Sequence, residues 1–255
     1  MKDSITNAQS VGNTLLEIGA LLMSSGASTH RTRITMKRIA NSLGYRIELL
    51  ITQRALMLTI IETDQEYFFS RMKRISPLHP NFKMVSGISH LSWNVKEQNW
   101  PVEKINTELQ RLKSLPHYPR WILLVMVGAA GAGFCNLFGG DVINMGVAFI
   151  ATVIGLFTRQ EAVRRKFNPY LSVFFAALVA SFIAGLSEKF AIGAEPDKAV
   201  ATSVLFLVPG IPLINSVTDM FDGNIQNGIV RAINGLIIAF AIALGLFTSK
   251  MILNF

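Results

Sequence analysis

A chain of 255 residues that is 51% hydrophobic and only 16% charged, with a mean hydropathy of +0.41, is too apolar for an ordinary soluble domain, in which about a quarter of residues are charged. Its formal charge of +8 does not point to nucleic acid, because no basic run with interleaved aromatics occurs; basic loops against anionic lipid headgroups account for it. The single Cys135 excludes an intrachain disulfide and reads as a small packing residue.

Val11 to Ser25 predicts a helix with Leu15, Ile18 and Leu22 on one side. Glu17 interrupts its apolar stretch, Leu15 to Met23, and no small-residue cleavage site follows, so no signal peptide is expected. Met36, Ile39, Ala40 and Leu43 recur at helical spacing, with Ser28 or Thr29 to cap the start and Gly44 the end. After Tyr45 the period falls to two, predicting strands at Ile47 to Ile51, Ala55 to Glu62 and Tyr67 to Met72, the last two joined by Thr63-Asp64-Gln65-Glu66. Helices return at Phe82 to Val95 and Pro101 to Leu112. Residues 1–117 thus read as a water-soluble, cytoplasmic α+β domain.

Residues 118–255 read as a transmembrane domain. Trp121 to Phe138, Val142 to Phe157, Leu171 to Leu186, Ala199 to Ile214 and Ala232 to Phe247 carry no charge, and each approaches the roughly 17–25 residues of a spanning helix. The fold class is an α-helical integral membrane protein with about five transmembrane helices behind an amino-terminal soluble α+β domain. The second and fourth spans are short. Arg111, Lys113 and Arg120 before the first span, and Arg159, Arg164, Arg165 and Lys166 after the second, place those ends in the cytoplasm. An odd number of spans then puts Phe255 outside.

The fourth span breaks at Pro209-Gly210-Ile211-Pro212. Two prolines there leave carbonyls without intrahelical partners, which hydrocarbon does not tolerate unless protein or water reaches them. Broken helices in transporters use such ends to hold substrates and ions. Pro209, Gly210 and Pro212 are therefore substrate-site candidates. Asp219 and Asp222, beyond the break, read either as proton- or ion-coupling carboxylates or as solvated acids of a polar loop, Ser216 to Gln226. Arg231 is either the cation for a substrate carboxylate or a positive-inside anchor. Asn215 and Asn136 offer uncharged hydrogen bonds to a carboxylate, or simply join helices. His30 and Arg31 are expected to hold the soluble domain together. Gly128, Gly131 and Gly133 form a small-residue surface for close packing inside the chain or against a partner, and a homo-oligomer stays open.

Gly26-Ala27-Ser28-Thr29-His30-Arg31, Tyr118-Pro119-Arg120-Trp121, Phe134-Cys135-Asn136-Leu137-Phe138-Gly139-Gly140, and above all Leu207-Val208-Pro209-Gly210-Ile211-Pro212-Leu213-Ile214-Asn215 with Asp219-Met220-Phe221 and Gly228 to Arg231 resemble the threonine/serine exporter family. The resemblance implies the larger subunit of a split form in the bacterial inner membrane, exporting succinate and related dicarboxylates with a separate small membrane subunit. Threonine or serine is the alternative substrate.

No nucleotide-binding or cofactor motif is found, so a gradient or the membrane potential should drive transport. Enzymes are represented only by Phe138-Gly139-Gly140-Asp141, which comes near the GxGD turn of intramembrane aspartyl proteases but has Phe138 where the first glycine belongs. His30, His79, His90 and His117 have no zinc-ligand spacing, so no metal is expected. A sensor module is the remaining option.

Overall fold

The computed structural model describes residues 2–61, 68–116 and 118–254. The predicted turn Thr63 to Glu66, the strand ends Glu62 and Tyr67, His117 and the terminal Phe255 lie outside the described residues. The chain forms two compact units, Met1–Pro116 with Ile211–Ala232, and His117–Gly210 with Ile233–Phe255.

In the first unit, α1 (Lys2–Ser24) and α2 (Thr29–Ser42) precede a sheet of β1 (Arg46–Ile51), β2 (Ala55–Ile61) and β3 (Phe68–Arg74), and α3 (Phe82–Gln98) and α4 (Val102–Lys113) follow it. The sheet is an antiparallel meander in the order β1-β2-β3, with Leu49 opposite Leu58 and Leu58 opposite Arg71. Strand alternation sends Ile47, Leu56, Leu58 and Ile60 to one side. There they meet Leu15, Ile18 and Leu22 of α1, Met36 and Ile39 of α2, Ile88 and Leu91 of α3, and Ile105 and Leu109 of α4 in one core. The helix α1 begins well before the expected Val11. The Ser28 side chain accepts from the Arg31 amide and so caps α2, while Gly44 takes the left-handed φ of +81° just past its end. Arg111 bonds Glu108 one turn back on α4 and holds that carboxyl below its ordinary range.

In the second unit, α5 (Arg120–Leu137), α6 (Val142–Arg164) and α7 (Pro169–Lys189) are each long and apolar enough to cross a membrane, as is α10 (Ile225–Leu253), whose first two turns belong to the first unit. Between α7 and α10 lie α8 (Pro196–Ser203), a single 3-10 turn at Leu205–Leu207, and α9 (Gly210–Phe221). The described residues thus hold four spanning helices, or five if the bent pair Pro196–Leu207 and Gly210–Phe221 is one span.

Two expectations change. The second span is not short: α6 continues through Arg159 to Arg164, because Glu161 pairs with Arg165 one turn on and Arg120 reaches both Gln160 and Glu161. Arg159 is therefore a helix residue, not a loop residue. Ser216 to Gln226 is likewise not a polar loop but the end of α9, a turn at Asp222–Asn224, and the start of α10. The small-residue surface of α5 is used in part. A side chain at Gly128 would strike Val153 and Phe149, and one at Gly131 would strike Thr152, whereas Gly133 meets nothing. Cys135 is buried with Ala148 and Ala199, in the packing role expected of it.

Candidate functional site

The break falls at Val208-Pro209. Val208 donates to the Leu205 carbonyl and Gly210 donates back to the Val208 carbonyl, so a tight turn satisfies part of the backbone that the prolines free. Pro209 is buried. Gly210 opens α9 and Pro212 lies in its first turn, where a helix has unpaired amides in any case, so Pro212 costs the helix no hydrogen bond.

Within the first unit, α9 is amphipathic in an inverted sense. It buries Ser216 and Asp219 and exposes Ile214, Val217 and Phe221. The first turns of α10 do the same, burying Asn227 and Arg231 and exposing Ile225 and Ile229. Water would favour the reverse, so the apolar side suits lipid or another apolar surface. This inversion is why polarity alone misread the segment as a loop.

The buried polar side closes on the start of α2. Asp219, 0% exposed, accepts from the Thr29 amide (2.9 Å) and the Thr29 hydroxyl (2.9 Å), and its Oδ2 lies 3.3 Å from Arg231 Nε. The carboxylate thus sits on a helix N-terminus, where free amides and the helix dipole favour negative charge. Arg231, 5% exposed, also donates from Nε to Gln53 Oε1 (3.1 Å) and from Nη2 to the Ala27 carbonyl (3.1 Å). Asn227 Nδ2 donates to the Thr29 hydroxyl and to the Ile51 carbonyl, and Asn215 Nδ2 donates to the Gly26 carbonyl. Gly228 permits this closure, because a side chain there would come within 2.7 Å of the Ser216 carbonyl.

Thr29, Gln53, Asn227 and the Ala27 carbonyl, with Asp219 and Arg231 themselves, are thus drawn from four separated stretches to one buried ion pair. The pairing of Asp219 with Arg231, and the participation of Thr29, Gln53 and Asn227, were not legible in the sequence; the Gly26 to Thr29 and Gly228 to Arg231 motifs were the only signal. His30 and Arg31 are both exposed, so the expectation that they hold the unit together is corrected: Ser28 and Thr29 beside them do so. Asp222 is exposed in the turn, and Asn136 is exposed near the end of α5 in the second unit. Asp141, the acid of the near-GxGD turn, is occupied as the cap of α6, accepting from the Asn144 and Ala194 amides. Thr29→Val should remove the hydroxyl's bond to Asp219 and the bond it accepts from Asn227 while keeping shape and the amide bond to Asp219, costing about 1–3 kcal/mol. A lowered thermal midpoint of the purified protein would show it, and an unchanged midpoint would mean the network contributes nothing to stability.

A family model described as "Putative threonine/serine exporter" matches residues 13–253. A protein of Klebsiella aerogenes named "Probable succinate transporter subunit YjjP" is 30% identical over 247 residues, 96% of this chain and 95% of that one. Its namesake in Escherichia coli (strain K12) is 29% identical over 88% of this chain and 87% of its own. The "Threonine/serine exporter" of Corynebacterium glutamicum is 25% identical over 84% of this chain but only 45% of its own length. No solved structure matches the chain. With four or five membrane-crossing helices and a family match over nearly its whole length, the chain belongs to the threonine/serine exporter family of membrane exporters.

Proposed function

We propose that the chain is one subunit of a secondary exporter of small carboxylates, succinate and related dicarboxylates first, acting in the bacterial inner membrane with a separate small membrane subunit. The observation that carries this reading is coverage: the two relatives named as probable succinate transporter subunits are matched over 95% and 87% of their own length. The relative named for threonine and serine is matched over less than half of its length, which keeps a zwitterionic amino acid as the second reading. On this reading, residues 1–117 stand in the cytoplasm on the side marked by Arg111, Lys113, Arg164, Arg165 and Lys166. Pro209, Gly210 and Pro212 are the substrate-binding candidates at the break, and Asn215 and Asn136 are uncharged candidates, each in its own unit. Asp219 and Arg231 form the coupling element: a proton on Asp219 removes the charge that neutralises Arg231 and loosens segment 211–232. Asp222, in the turn, is the second coupling candidate.

The test is export of labelled succinate and threonine from cells carrying the chain alone, the small subunit alone, or both. Succinate export only with both subunits is expected. Threonine export without succinate export would move the protein to the amino acid reading, and full flux from the chain alone would remove the partner. A reporter active only in the cytoplasm should work when fused after Lys166; silence there would invert the proposed orientation.

A further inference from the structure

We propose that the substrate carboxylate is received in the second unit by Arg159 and moves along a single polar stripe of α6, from Arg159 past Thr152 to Asn144. This rests on the reading of the chain as a carboxylate exporter. On α6, Asn144, Ala148, Ala151, Thr152, Gly155 and Leu156 are buried. Arg159 follows Gly155 by four residues and Thr152 by seven, so it continues that inner face and does not face lipid. The face packs on protein: a side chain at Gly155 would come within 2.7 Å of Ala180 and 3.1 Å of the Phe206 ring.

Every other feature of this stripe is apolar or small, yet its polar groups have hydrogen-bonding capacity left over. Arg159 is half-buried, and among the described residues it makes no hydrogen bond or ion pair. Its neighbours at the same end differ, since Arg120 reaches Gln160 and Glu161, and Arg165 holds Glu161. An uncompensated guanidinium among membrane helices is expensive unless a negative group visits it. At the far end Asn144 is fully buried, and neither its amide nitrogen nor its amide oxygen has a partner among the described residues. Between them Thr152 has only a 3.5 Å contact to the Ser203 carbonyl. Fifteen residues of helix separate Arg159 from Asn144, about 22 Å at 1.5 Å per residue, most of a bilayer core.

The stripe also runs beside the segment that leads to the break. Thr152 lies opposite Ser203 and Gly155 opposite Phe206, so α6 and the α8 segment run side by side in the same direction. The planar guanidinium grips a carboxylate at two points, and a primary amide serves the same oxygens without fixing a charge.

Proteoliposomes holding both subunits should be assayed for counterflow of labelled succinate. Arg159→Gln should raise KM at least tenfold, Arg159→Lys several-fold, and Asn144→Ala about threefold, while the succinate-induced rise in thermal midpoint should vanish in Arg159→Gln. Wild-type flux with an unchanged KM in Arg159→Gln, or in Arg159→Lys should the glutamine variant fail to accumulate, overturns this inference and leaves the exporter reading intact. A wild-type complex that moves no carboxylate overturns both.

Discussion

Asp219→Ala is expected to be the most damaging single substitution in the first unit. It leaves Arg231 buried with no counter-charge and the Thr29 amide and hydroxyl with no acceptor. Breaking one side of a buried ion pair typically costs about 3–5 kcal/mol, a large share of the roughly 5–15 kcal/mol by which domains are stable. Segment 211–232 should then detach, which limited proteolysis in isolated membranes would detect as new cleavage between residues 211 and 232. Removing both charges should cost far less, because a buried pair replaced by apolar groups of similar size is often neutral in stability. Asp219→Leu with Arg231→Met should therefore regain protease resistance while losing export, separating the structural from the coupling role. Equal resistance of wild type and Asp219→Ala would show that the pair does not hold the segment.

Gly245→Leu should be the corresponding lesion in the second unit. A side chain on Gly245 of α10 would come within 2.8 Å of the Phe174 carbonyl, 2.9 Å of the Leu178 amide and 2.7 Å of Ala177 on α7. The first two are backbone atoms and cannot turn aside, so the helices must separate. In lipid no hydrophobic force draws helices together; close packing does, and overpacking costs about 1–3 kcal/mol or more. Gly133→Leu and Gly146→Leu are the controls, since nothing lies within 4 Å of a Cβ added at either position. Gly245→Leu should lower the thermal midpoint in detergent and abolish export, with both controls near wild type. An unchanged midpoint in Gly245→Leu would show that α7 and α10 are not held by this contact.

Local pattern determined most of the elements. Period-two alternation located β1 to β3, helical spacing located α2 to α4, and charge-free stretches located α5, α7 and α10, because these signals reside in neighbouring residues. The prolines placed the break. What sequence could not decide is which side of a helix is covered and by what. Asp219 read as a coupling carboxylate or a loop acid, and Arg231 as a substrate cation or a positive-inside anchor, until Thr29, 190 residues from Asp219, and Gln53, 178 residues from Arg231, bond to them. The polarity of Ser216 to Gln226 pointed to water because composition records how polar a segment is and not which way its polar side turns. Tertiary packing turned it inward, against an amide-rich helix start that can hold a carboxylate. Arg159 makes the same point in reverse: a residue that counts as one more basic charge at a membrane edge becomes, once α6 extends through it, a half-buried cation with no partner among the described residues.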